Sequence, residues 1–442
     1  MVPRKLSSRL PRFILLLLVT GLVAIVVAAC GGAADEQTEG EVTIEMWTHD
    51  ALYIQYFEKR VAGLNEQNDD LNITLVAEEM PDPITSFVSA YIARENLPDM
   101  IGVEQGEFPI LMEDDVVADV LVDLTDRIGD RYSDFVEGRW ALYTHDDRIY
   151  GVESALSAVA YYYQPAIFEE HGLDIPTTWD EYVAVGRELG AEGISIGVAD
   201  NMASGLFGMM FLQRGGQYFD EDANLVFGEG RNREYAVEVL NTIRELLDEG
   251  ALFVVYGDEF WGSTIPTAFS EGRLAGIIMP DWYNTSLLQP GVEDMAGEWR
   301  VGPMPLWDDP DAHTTSVWGG TGFAITQASE HQEIVWEIID DGYMSLDGQL
   351  DRYATIGFFP TKYEALAHPD IVDVEHAFYG GQNIGQVISD VALDTPPLWQ
   401  SPARASFNSA LGDTLVPFID GDISAEELVD EVVRITEQDA GL

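Results

Sequence analysis

ARENLPDMIGVEQGEF, residues 93–108, holds the change of pattern on which the fold turns. Residues 85–95 read as a helix, which Asn96-Leu97-Pro98-Asp99 breaks, because proline fixes φ and disfavours helix in the residue before it. Met100-Ile101-Gly102-Val103 then predicts a short buried strand. Glu104, Gln105 and Glu107 stand just beyond it, and open α/β sheets bind their ligands in the loops that follow strand ends.

Toward the N-terminus, Val42-Thr43-Ile44-Glu45-Met46 alternates apolar and polar residues and predicts a first strand ending at Trp47-Thr48-His49-Asp50. A helix over 53–65 and a strand over 73–77 follow. Strand, helix, strand opens a parallel α/β sheet.

Further upstream stands Cys30, the only cysteine, so no disulfide can form within the chain. Arg4, Lys5, Arg9 and Arg12 precede the apolar run FILLLLVTGLVAIVVAA, whose last residues before the cysteine are the small Ala28 and Ala29. That order is a basic region, an apolar region and a cleavage site. A spanning anchor is the alternative, since the run approaches the ~17–25 residues a membrane helix needs. Either places the folded part outside the cytoplasm. The stretch GGAADEQTEGE is too polar to bury a core and reads as a flexible tether.

Charge excludes other classes. The chain carries 22 basic and 78 acidic residues, a formal net charge of −56. Residues 1–29 hold four basic residues and no acidic one, so the remainder has 18 basic against 78 acidic residues and a net charge of −60. Such a surface repels nucleic acid and anionic headgroups. With lysine only at positions 5, 59 and 362, it reads as a salt-adapted exterior. Hydrophobic content of 46% excludes general disorder, and the length from Val42 onward calls for two lobes.

Several stretches resemble, in order, the extracellular solute-binding proteins of ABC importers, of the maltose-binding type. The opening stretch, with Leu-Pro-Asp at its core, is one. Asp147-Arg148-Ile149-Tyr150-Gly151-Val152 with AYYYQPAIFEEHGLDIPTTWDEY is similar to the passage from the first lobe into the second, and Thr178 with Glu181 predicts a capping box there. The 267–282 block, ending in Ile277-Ile278-Met279-Pro280-Asp281-Trp282, resembles the family's helix, strand and strand-end aromatic. Residues 299–305 resemble the return crossover, and Trp318-Gly319-Gly320-Thr321 the glycine pair leading back into a first-lobe strand. Cys30 after Val27-Ala28-Ala29 resembles a lipobox, which implies that residues 1–29 are a signal peptide, that Cys30 is lipidated, and that 30–41 tether the protein to the outer face of the cell membrane.

The resemblance implies an α/β fold of the two-lobe periplasmic-binding-protein type, each lobe a mostly parallel sheet flanked by helices, with the ligand cleft at the hinge. Lobe 1 is expected over 42–153 plus 303–327, and lobe 2 over 154–302 plus 328–442. The implied function is capture of a mono- or oligosaccharide, by a monomer, for delivery to the permease subunits of an ABC transporter. A binding protein of the same fold for a polyamine or other cationic solute, and an anchored extracellular glycoside hydrolase, are the alternatives.

A sugar presents an apolar ring face edged by hydroxyls, so its site needs flat aromatics and polar rim groups. Strand-end and loop positions offer Trp47, Trp261, Trp282, Trp318, Phe359 and Trp399, with Trp282 and Trp318 expected on opposite lobes. His49, Glu79, Glu104, Gln105, Glu107, Asn201 and Asp281 are the polar candidates, and Gly319 and Gly320 complete the expected ligand set. Any one of these tryptophans can equally be core, and the acids can be members of the acidic surface. The acidic 220–231 stretch lacks the glycine and glutamate of a calcium loop, and no cofactor, metal or catalytic motif is expected.

Overall fold

The computed structural model describes residues 41–68, 71–113, 116–153 and 155–442. The expected signal peptide and Cys30 lie outside them. Among the described residues no helix is long and apolar enough to cross a membrane.

The first lobe is built on β1 (Glu41–Thr48), which pairs in parallel with β2 (Asn72–Glu79) on one side and β3 (Met100–Glu104) on the other. Between β1 and β2 runs α1 (Ala51–Gln67). It starts at Asp50, whose carboxylate accepts the Leu52 N–H at 2.8 Å, a cap that contributes about 1 kcal/mol. Tyr53, Tyr56, Phe57, Val61 and Leu64 recur at helical spacing and are its buried face. The opening stretch is the end of α2 (Pro83–Ala93), a left-handed Arg94 at φ 58°, and β3. The helix starts two residues earlier than expected because Asp82 caps it and Pro83 fits its first turn.

The chain leaves through β4 (Val152–Glu153) and enters the second lobe as β5 (Val159–Tyr163). There β6 (Gly276–Pro280) and β7 (Arg300–Pro303) flank β5, both antiparallel to it, and Gly197–Ala199 pairs in parallel with Leu252–Val254. Back in the first lobe, β8 (Thr321–Ile325) lies antiparallel between β3 and β4, giving the order β2-β1-β3-β8-β4. The lobes are therefore mixed rather than mostly parallel. A strand arriving from the other lobe enters its sheet from the hinge end, opposite in direction to strands that run toward the hinge, and needs no helical crossover.

The chain first passes between the lobes at 155–158. The second crossing falls later than the expected boundary. Residues 304–314 still pack on the second lobe, with the Leu306 N–H on the Thr177 carbonyl at 2.9 Å and the His313 N–H on the Gln213 carbonyl at 2.8 Å. The change of lobe comes where Val317 pairs with Ala158 and Thr315 Oγ1 accepts the Val159 N–H at 3.0 Å. Beyond β8, residues 332–356 pack on the first lobe, not the second. Tyr56 donates its hydroxyl to the carbonyls of Gly342 and Gly348, and Tyr343 packs on Phe57 and Phe323. A third crossing, at 357–362, leads back to the second lobe, where Gln382 donates to the Val301 carbonyl at 2.7 Å. Apolar periodicity marks a helix's buried face but not the sheet that receives it, so these allegiances were not legible in the sequence. The Thr178/Glu181 capping box is present, as is one formed by Ser424 and Glu427.

Candidate functional site

Between the lobes lies a cavity of about 650 Å³. From the first lobe, the end of β1 supplies His49 and Asp50, the first turn of α1 supplies Tyr53, and the loop after β3 supplies Glu104, Gln105 and Gly106. From the second, Asn201, Trp261 and Trp282 face it, with Arg404 and Asn408 one helical turn apart on the helix Arg404–Ile419. The crossing segments contribute Ala155, Trp318, Gly319, Gly320 and Phe358.

One wall is aromatic. Trp261 lies nearly parallel to Trp282, with 6.3 Å between ring centroids, and Trp318 meets both edge-on at 5.9 and 5.7 Å. Trp282 and Trp318 thus share a wall rather than face each other across the cleft. Trp318 is only 8% exposed whereas Trp261, at the rim, is 45% exposed. Trp282 Nε1 donates to the Trp318 carbonyl at 2.7 Å, and its half-buried ring is part of the cavity lining.

The glycine pair makes the approach possible. A side chain on Gly319 (φ 85°) would meet Trp282 Nε1 at 2.7 Å, and one on Gly320 (φ 127°) would meet Arg139 Nη2 at 2.2 Å and Glu153 Oε2 at 2.6 Å. Beneath the pair, the Arg139 and Glu153 side chains form a buried ion pair at 3.1 Å, and Arg139 also donates to the Gly319 carbonyl at 2.9 Å.

The other end is polar. Gln105 and Arg404 are 3% and 2% exposed, and Gln105 Oε1 and Arg404 Nη1 find no hydrogen-bond partner among the described residues. Arg404 Nε donates to Asn408 Oδ1 at 3.0 Å, and its guanidinium lies over the Tyr218 ring at 5.0 Å. Glu104 accepts the Gly106 N–H at 2.5 Å. Burial pushes the Glu104 carboxyl up to about 7, against the Gly106 amide and the Arg404 charge, which favour its ionised form. Burial also lowers the His49 pKa, opposed by Asp50 and Glu79.

Nine of the expected ligand residues therefore line one cavity: His49, Glu104, Gln105, Asn201, Trp261, Trp282, Trp318, Gly319 and Gly320. Six do not. Trp47 is half-buried against the core, and Glu79 is exposed at the end of β2. Glu107 is pushed up to about 8 by burial, then by Glu104 and by Asp82, with which it shares a hydrogen bond. Asp281 is fully buried behind Trp282, where burial pushes it up to about 7 against the charges of Arg139 and Arg352. Phe359 turns into the core against Tyr353, and its neighbour Phe358 lines the cavity instead. Trp399 is half-buried in the 396–400 break and does not line the cavity. The sequence reading missed Asp50, Tyr53, Arg404 and Asn408. Arg404 and Asn408 do stand four apart at the start of a helix, but so do many solvated surface pairs. Among the described residues no group of His, Cys, Asp and Glu gathers to hold a metal.

Residues 50–340 match the model of the bacterial extracellular solute-binding protein family. The chain is 28% identical over 371 residues to the arabinooligosaccharide-binding protein of Halalkalibacterium halodurans, covering 80% of each chain. It is 23% identical over 386 residues to the arabinooligosaccharide-binding protein of Bacillus subtilis, covering 86% of this chain and 87% of that one. Its fold matches that of the sugar-binding protein MalE from Xanthomonas citri with a TM-score of 0.73 at 17% identity, over 90% of this chain and 98% of that one. With the family model spanning most of the chain and a cavity lying between two lobes, the protein belongs to the bacterial extracellular solute-binding proteins, a family of binding proteins and not of enzymes.

Proposed function

We propose that the protein captures a neutral oligosaccharide between its lobes and delivers it to the permease of an ABC importer. The observation that carries this reading is the pairing of an aromatic wall with a polar end in one cavity, which suits a ligand whose rings have apolar faces and hydroxyl edges. The relatives from Halalkalibacterium halodurans and Bacillus subtilis, both named for arabinooligosaccharides, favour a pentose oligomer as the ligand to try first. Binding draws the lobes together, a population shift about the three crossing segments that breaks no bond and presents a changed surface to the permease. The protein acts as a monomer, held at the outer face of the membrane by lipid on Cys30.

The buried Arg404 charge at the cavity opposes a polyamine. A hydrolase needs two carboxyl groups flanking the scissile bond, and Glu107 turns toward Asp82. Calorimetry against arabino-, galacto- and malto-oligosaccharides and a polyamine tests the proposal. Sugar binding without turnover supports it, whereas binding of the polyamine alone, or release of shorter sugars, overturns it.

A further inference from the structure

We infer that Glu104 and Arg404, one from each lobe, act as a charge-selective pair that admits neutral sugar units and rejects both acidic and amino sugars. The inference rests on the sugar reading of the cleft.

Glu104 ends β3 of the first lobe, and Arg404 opens a helix of the second. Both line the cavity. They are near enough for each charge to act on the other, yet no hydrogen bond or ion pair joins them among the described residues. Each is held from behind. Glu104 Oε2 takes the Gly106 N–H, and Arg404 is fixed by Asn408 and by the Tyr218 ring, which leaves Nη1 without a partner.

Of the other charged groups here, Arg139 and Glu153 neutralise each other beneath Gly320. Asp50 also lines the cavity, its carboxylate capping the Leu52 amide, and adds to the rejection of acidic ligands. A hydroxyl group satisfies both members of the pair, because it donates to the carboxylate and accepts from the guanidinium. A ligand carboxylate drawn to Arg404 would lie against Glu104, and a ligand ammonium drawn to Glu104 would lie against Arg404. In a site this buried, such like-charge meetings set specificity by rejection.

The test compares galactotriose, trigalacturonate and trigalactosamine as ligands of the wild type, Glu104→Gln and Arg404→Gln by calorimetry. It is run at pH 8, above the value to which burial pushes Glu104. Wild type should prefer the neutral trimer. Glu104→Gln should raise uronate affinity relative to neutral by about tenfold or more, and Arg404→Gln should do the same for the amino sugar. Glu104→Gln preserves shape, so it decides the question even if Arg404→Gln fails a denaturant-unfolding control. Unchanged ratios in a folded Glu104→Gln overturn the pair while leaving the sugar reading intact. A wild type that binds an acidic or amino trimer as tightly as the neutral one overturns the pair, and one that binds none of the three, nor arabinotriose, sinks the sugar reading, and the pair falls with it.

Discussion

The indole Nε1 of Trp282 donates to the backbone carbonyl of Trp318 at 2.7 Å, so a side chain at the end of a second-lobe strand is tied to the segment on which the chain crosses back to the first lobe. The same side chain is thus a structural tie and part of the cavity lining. The two roles separate by experiment.

Trp282→Ala removes both, and should weaken sugar binding by at least about tenfold, roughly 1.4 kcal/mol. Trp282→Phe keeps a ring while losing the hydrogen bond and part of the ring area, so it should retain more affinity than Trp282→Ala. Trp318, nearly buried, should show its truncation chiefly as a loss of folding stability of about 3–5 kcal/mol. Calorimetry and denaturant unfolding on the same variants check this ranking, and a Trp282→Ala variant with normal affinity would remove the aromatic wall from the site.

Gly320→Ala should be among the most damaging small substitutions. Its Cβ would fall 2.2 Å from Arg139 and 2.6 Å from Glu153, in a backbone conformation that favours glycine. Forcing that buried ion pair apart should cost about 3 kcal/mol or more, read as a lowered midpoint in urea unfolding.

Folding stability should fall as pH rises from about 5 to 8. Glu104, Glu107 and Asp281 are raised to about 7, 8 and 7 from ordinary values of 4.5, 4.5 and 3.8, mainly by burial. Between the two sets of values the folded chain holds protons that the unfolded chain has lost, so stability drops with rising pH across that window. Around Asp281 the charged and titratable groups are Arg139, Arg352, Glu153, Tyr162 and Tyr353. Asp281→Asn should flatten the slope, and an unchanged slope in thermal melts would exclude Asp281 as a contributor.

Thermal stability should rise from low to molar salt. A net charge of −56 places many like charges within reach of one another, and the Debye length shrinks from ~10 Å at 0.1 M to ~3 Å at 1 M. A flat melting temperature over that range would rule out salt adaptation.

Cys30→Ser should leave the protein either uncleaved or released from the membrane fraction, since lipid attachment needs the thiol. Unchanged membrane attachment, with a mature N-terminus elsewhere, would sink the lipid anchor.

Local interactions were legible in the sequence by itself. The alternation of 42–46, the break at Leu97-Pro98-Asp99 and the capping box at Thr178/Glu181 depend on residues within a few positions of each other, and all are present. The order of such segments also carried the two-lobed architecture and the strand-end placement of Glu104, Trp282 and the glycine pair. Only the tertiary structure decided which neighbour in each pair reaches the cleft: Glu104 but not Glu107, Trp282 but not Asp281, Phe358 but not Phe359. Loops beyond strand ends have no periodicity, so the direction of a side chain there is set by partners far along the chain, as the Trp318 carbonyl is for the Trp282 indole. The allegiance of 332–356 to the first lobe and the entry of Arg404 into the site have the same cause. An amphipathic helix announces that it will be buried, and a burial partner hundreds of residues away decides where.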